Sequence, residues 1–295
     1  MQPRDRPSPA SPVLFVHIPK TAGTALFALA AKVYGRIPGK VDSCIFRLPL
    51  NWDASDEDID LVGLLAEHKG QPIRFISGHC SHAIRNQTPF DPITISMLRE
   101  PLARVVSAYS NMRRDPKNGY HQSAIAMSLH EVLQQRTIPE LENGQVRRIA
   151  GLPPNVGPLN HKHLEIAKNN LDQDFAVVGL TERFDETVEL LCVHLDWPRK
   201  GYMPWNVAPK SQTDLEITSE TWALLKERNA LDMSLYDYAV ERFDRQIAIL
   251  QPGFDRRVER NRSYNKRWYR HWHQWGVAPL RNIKRVIRRR SLLGR

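Results

Sequence analysis

The sequence predicts an α/β protein, a three-layer fold in which a mostly parallel sheet is flanked by helices. Three observations carry that prediction. Four short apolar-rich runs, at 13–18, 73–77, 93–98 and 175–180, read as strands, and the first is continuous rather than alternating, as parallel strands buried on both faces tend to be. Stretches with apolar residues at helical spacing separate them, which implies βαβ units. The first run passes through Pro19-Lys20-Thr21-Ala22-Gly23-Thr24 into an apolar stretch, so it reads as strand, tight loop and helix.

Each element follows in turn. After the strand at 13–18 comes a helix over 24–34. Residues 36–60 read as an irregular, partly acidic connection. A short helix is expected at 61–68, and the second strand, 73–77, ends in Gly78-His79. The third strand, 93–98, is followed by Arg99-Glu100-Pro101. Leu102, Val105, Val106 and Tyr109 then recur at helical spacing. Residues 115–122 are loop, 123–136 helix, 151–158 a Pro/Gly-bearing loop and 160–171 helix. The fourth strand at 175–180 leads into a helix over 182–195. Residues 204–214 read as loop, and 219–250 as one or two amphipathic helices. No internal repeat is present.

Composition sets the outer limits. A chain of 295 residues with 41% apolar residues can bury a full core. No run reaches the ~18 apolar residues of a membrane span. The opening MQPRDRPSPASP lacks the apolar centre of a secretory signal and reads as a flexible leader over 1–11. Three scattered cysteines, Cys44, Cys80 and Cys192, form no CxxC pair, which argues against a disulfide framework or a zinc site and fits a reducing, cytoplasmic setting. The net charge of +10 is unevenly placed. Residues 256–295 hold fourteen Arg or Lys against one acid, Glu259, so the first 255 residues sit near neutrality. The organisation expected is therefore a leader, a catalytic-sized domain over 12–252, and a basic, aromatic tail over 253–295.

The first loop suits a phosphate, because a strand–loop–helix turn aims backbone N–H groups and the positive end of a helix dipole at one spot. A Walker A loop would place its glycines before the lysine. Here Lys20 precedes Gly23, so the loop is not that of an ATPase. A plain turn with a solvated lysine is the alternative. Arg99 follows the third strand and Ser107 lies two helical turns on; a guanidinium and a hydroxyl suit a second phosphate, although on this spacing alone a surface ion pair and a polar helix face are the simpler reading. Lys20, His79 and Arg99 all fall at strand ends, where ligands sit in parallel sheets.

HIPKTAGT at 17–24, followed by LREPLARVVSAY at 98–109, resembles the sulfotransferase superfamily. The likeness is to its Golgi-type and bacterial branch, which includes the heparan sulfate 2-O- and 6-O-sulfotransferases. ISGH at 76–79, NGQVRRIAG at 143–151, FAVVGLTERFDETVELL at 175–191 and LYDYAVERF at 235–243 extend the resemblance over roughly 12–250. It implies a P-loop-nucleotide-hydrolase-like sheet and the donor 3′-phosphoadenosine 5′-phosphosulfate (PAPS), with no metal. By that resemblance Lys20, Thr21, Ala22, Gly23 and Thr24 hold the 5′-phosphosulfate, Arg99 and Ser107 the 3′-phosphate, and Asn206 and Lys210 belong to a loop that closes over the nucleotide. Lys20 is also the group expected to stabilise the leaving oxygen. Glu100 stands where related sequences more often carry aspartate.

The acceptor hydroxyl must lose a proton as its new bond forms, and His79, at the end of the second strand, is the candidate base. His17 is expected to be structural, holding the loop. Asn143, Gln145 and Arg147, with Arg148, resemble a block beside the active site of relatives and suit sugar hydroxyls, or else form a capped helix with solvated arginines. The expected acceptor is a carbohydrate. The tail segments RWYRHWHQW and LRNIKRVIRRR interleave aromatics with cations and suit an anionic membrane surface on the inner face. A polyanionic glycan, nucleic acid and a solvated tail are the alternatives, with nucleic acid least favoured because no such fold accompanies it. Rival functions are an ATP phosphotransferase and a non-catalytic polyanion- or membrane-binding protein. The sequence leaves the oligomeric state open.

Overall fold

The computed structural model describes residues 11–34, 45–48, 59–67, 72–202 and 217–272. Five strands build one sheet: β1 (Val13–Val16), β2 (Ile45–Arg47), β3 (Phe75–Gly78), β4 (Ile93–Leu98) and β5 (Phe175–Leu180). Their order is β2-β3-β1-β4-β5 and every pairing is parallel. The expected α/β class is therefore what the chain forms. β1 lies at the centre, with Val13 opposite both Phe75 of β3 and Ile93 of β4. All four of its residues are buried, as the unbroken apolar run requires.

Helices flank the sheet. α1 (Gly23–Val33) leaves the first loop, and α2 (Leu61–Ala66) is capped by the Asp60 carboxylate on Gly63 N–H. α3 (Pro101–Arg114) starts with proline in its first turn and with Glu100 accepting from Leu102 N and Ala103 N. The helix expected over 123–136 is two, α4 (His121–Ala126) and α5 (Leu129–Gln135). The chain turns at Ser128, which forms a capping box with Glu131. α6 (Gly144–Ile149) and α7 (His161–Gln173) precede β5, and α8 (Phe184–His194) follows it.

The stretch 219–250 also divides, into α9 (Ser219–Arg228) and α10 (Ala230–Ile249). Asn229 between them is fully buried, and its amide donates to the Leu141 and Leu225 carbonyls. β2 lies inside the connection expected to be irregular. The segment expected as a tail begins with α11 (Phe254–Trp272), which packs on α8 and buries Phe254 and Val258 in the main core. The loop at 204–214 lies outside the described residues. Among the described residues, no helix is long and apolar enough to cross a membrane.

The strand order positions the site. The chain leaves β1 toward the β3 side of the sheet and leaves β4 toward β5. The loops after β1 and β4 therefore diverge, opening a crevice at the carboxyl ends of two adjacent strands. β3, whose end carries His79, is the other neighbour of β1.

Candidate active site

The first loop is built to present backbone N–H groups. Lys20 (φ 69°) and Ala22 (φ 61°) both adopt left-handed backbone, and no side chain caps the start of α1. Left-handed residues alternating along a turn draw successive N–H groups into an anion-binding concavity, here at the positive end of an 11-residue helix. Thr21, between them, is fully buried and its hydroxyl donates to the Ile18 carbonyl at 2.8 Å. Its side chain shapes the loop and does not face the crevice.

Gly23 is required by a close approach. A Cβ at this position would lie 2.0 Å from Nε2 of His17. The His17 ring stacks on Phe15, with centroids 5.1 Å apart, and meets the His79 ring edge-on at 4.4 Å. Loop, His17 and His79 are thus packed as one unit, and His17, expected to be structural, also lines the crevice at the strand ends.

A cavity of about 1130 Å³ opens over these strand ends. Lys20, Ala22, Gly23 and Thr24 line it from the first loop, His79 from the end of β3, and Arg99 and Ser107 from β4 and α3. Arg99 bridges the crevice, its Nη1 donating to the Lys20 carbonyl at 3.1 Å. Lys20 Nζ donates to Asn111 Oδ1 of α3 at 3.3 Å. Burial lowers the Lys20 pKa below the ordinary lysine value, and the charges of Arg114 and Arg99 push it further the same way. Three cations held this close favour an anion as the ligand that relieves them.

Another wall comes from the turn after β5 (Thr181–Arg183), α8 and α11. Its carboxylates are engaged: Asp185 accepts from the Tyr202 hydroxyl and from Arg262 Nε, Glu186 pairs with Arg183 at 2.7 Å, and Glu182 accepts from Tyr236 at 2.7 Å. Trp222 of α9, 38% exposed, completes the lining. Sequence reasoning missed this wall. Arg262 and Trp222 carry no local signal that distinguishes them from solvated helix positions.

Three residues expected at the acceptor lie elsewhere. Asn143, Gln145 and Arg147 are 6%, 0% and 5% exposed and do not line the cavity. The Asn143 side chain accepts from Leu231 N and Asp232 N, at the start of α10. Gln145 bonds to the backbone of Arg99, and Arg147 to the carbonyls of Val156 and Pro153. They hold the scaffold, because a helix buried all round leaves its polar groups only backbone and one another as partners. Asn206 and Lys210 lie outside the described residues.

Among solved structures the chain is similar to a sulfotransferase from Alicyclobacillus acidocaldarius, at 20% identity and a TM-score of 0.43, over 77% of this chain and 94% of that one. It is also similar to mouse sulfotransferase SULT7A1 complexed with PAP, at 12% identity and a TM-score of 0.35, over 90% of this chain and 89% of that one. No family model and no curated protein matches the chain.

Proposed function

We propose that the chain is a sulfotransferase that uses PAPS as donor and a carbohydrate hydroxyl, on a glycan or glycolipid, as acceptor. The observation that carries this reading is the bridge from Arg99 to the Lys20 carbonyl, across the crevice between β1 and β4. It ties two anion sites to one cavity, as a donor with phosphates at both ends needs. The left-handed first loop and the uncapped start of α1 fit the phosphosulfate, and Arg99 with Ser107 fits the 3′-phosphate. The lysine-before-glycine order separates this loop from that of ATP-using enzymes.

The donor supplies the sulfuryl group and departs as 3′-phosphoadenosine 5′-phosphate (PAP). In the reaction, His79 takes the proton of the acceptor hydroxyl as its oxygen forms the new S–O bond. Lys20 meets the negative charge that collects on the bridging oxygen as the old S–O bond breaks. Arg99 and Ser107 fix the far end of the nucleotide so that attack and departure are in line. Carbohydrate is the acceptor class favoured because Trp222 offers an exposed aromatic face at the cavity, of the kind on which a pyranose ring stacks. Residues 273–295 extend the cationic, aromatic stretch begun in α11 and are assigned to an anionic membrane surface, which places the enzyme beside lipid-linked acceptors.

Radiolabelled PAPS incubated with a panel of glycans and glycolipids tests the reading. Label transferred to a carbohydrate, and abolished by Lys20→Ala, is the result expected. Transfer of phosphate from ATP–Mg²⁺ in place of sulfate overturns it.

A further inference from the structure

α6 touches both poles of the cavity from behind. Gln145 grips the backbone of Arg99 twice: Oε1 accepts from Arg99 N–H at 2.9 Å, and Nε2 donates to the Arg99 carbonyl at 2.9 Å. Three residues on, Arg148 Nη1 donates to the His79 carbonyl at 2.9 Å. β1 separates the strands these two residues terminate, since β3 and β4 are not neighbours in the sheet. α6 therefore spans the ends of three strands.

The helix is itself held by buried charge. Asp232, fully buried on α10, accepts from Gln145 N at 3.1 Å and Val146 N at 2.7 Å. Glu140 takes Arg148 Nη2 at 3.2 Å and Arg104 Nη1 at 3.0 Å. Arg104, on α3 one turn beyond Arg99, is 0% exposed and also lies 3.7 Å from Asp232. A Cβ on Gly144 would lie 2.7 Å from Arg104 Nη2, so α6 begins with glycine where that guanidinium passes. Two arginines and two acids thus interlock α3, α6 and α10. Removing one partner from such a set leaves a buried charge uncompensated, so its members are fixed in place.

We infer that Gln145 and Arg148 are positioning residues, Gln145 setting the Arg99 anion site and Arg148 setting His79. The inference rests on the proposed roles of Arg99 and His79. A glutamine with both amide groups spent on one residue's backbone contributes neither charge nor contact to the cavity. Its effect is to fix where the β4 strand end stops and the guanidinium starts. Arg148 acts likewise on the backbone that carries the His79 ring.

The two residues act on different steps, and that separates them from general stabilisers. Gln145→Met keeps the length and removes both hydrogen bonds. It is expected to raise the KM for PAPS and the Kd for PAP about tenfold, with kcat changed less than threefold. Arg148→Lys keeps the charge beside Glu140 and alters the grip on His79. It is expected to lower kcat about tenfold and to shift its pH profile, with the Kd for PAP unchanged. Should Gln145→Met fail to fold, Gln145→Glu answers the same question, since it keeps the size and the acceptor and loses the donor. Equal proportional losses in both variants, or PAP affinity unchanged in the Gln145 variants, overturn the inference. Failure of the wild-type protein to bind PAP at all instead sinks the parent reading, so the two failures are distinct.

Discussion

Arg99 donates from Nη1 to the carbonyl oxygen of Lys20 at 3.1 Å, joining the loops that leave β4 and β1. The guanidinium thereby orients a left-handed lysine, and the lysine's carbonyl in turn holds the guanidinium over the crevice. Each residue proposed to meet one end of the donor is placed by the other.

Removing Arg99 costs both roles. Arg99→Ala is expected to weaken PAP binding by about 2–3 kcal/mol, roughly 30- to 150-fold in Kd, the scale of a charge-assisted hydrogen bond to a phosphate. Arg99→Lys recovers part of the charge and not the fork, so its affinity should fall between. Calorimetric titration with PAP measures both.

The lowered Lys20 pKa gives a pH dependence with a defined sign. Bound anions favour the protonated amine and draw its pKa back toward 10.5, the ordinary lysine value. The complex then holds more protons than the free protein between the two pKa values. PAP affinity should fall as pH rises through that alkaline window and level off above it. In the free protein the sign of the stability term is opposite. The unfolded chain binds more protons across the same window, so this group's contribution to stability grows with pH there. Lys20→Arg should flatten the affinity profile, read as Kd against pH.

Gly23 and His17 should be coupled. Gly23→Ala places a Cβ 2.0 Å from His17 Nε2 and is expected to cost about 1–3 kcal/mol as the ring is displaced. His17→Ala removes the obstruction, so the second substitution should cost less in that background. A double-mutant cycle by chemical denaturation reports the coupling.

α11 should prove inseparable from the fold. Lys32 of α1 donates to the Gly201 carbonyl at 2.6 Å and lies 3.7 Å from the centre of the Trp268 ring. Asn265 accepts from Tyr202 N at 2.7 Å, while Arg257 and Asn261 both reach Glu189 of α8. Ending the chain at residue 252 removes the contacts of Trp268, Asn265, Asn261 and Arg257 and the buried Phe254, and should cost upward of about 3 kcal/mol. Ending it at 272 keeps α11. That shorter cut is expected to leave the melting temperature within ~2 °C and to abolish binding to anionic liposomes, as the assignment of 273–295 requires.

The sheet was the most legible part of the sequence. β4 and β5 match the strands read from the sequence residue for residue; β5 is apolar without interruption, as a strand buried on both faces tends to be, while β4 also buries Thr94 and Ser96, whose hydroxyl donates to the Val16 carbonyl. β2 escaped notice, being only three residues long. The division between α4 and α5 did leave a signal, Ser128 with Glu131 three residues on, which the continuing apolar period obscured. Lys20, His79 and Arg99 come to line one cavity because strand ends in a parallel sheet converge. Gln145 was placed at the acceptor because an amide that binds a sugar and an amide that binds backbone are the same letters; burial separates them. The fourteen cations after residue 255 hid α11, although Phe254 and Val258 already mark the apolar stripe that docks it.

The central claim is that the Lys20–Arg99 crevice takes a nucleotide with phosphates at both ends. Calorimetric titration of the full chain with PAP, beside ATP–Mg²⁺, tests it most directly. The account predicts one PAP per chain, bound tightly and weakened roughly 30- to 150-fold by Arg99→Ala, with ATP–Mg²⁺ bound at least tenfold more weakly. Binding of ATP–Mg²⁺ with no measurable PAP binding would contradict it.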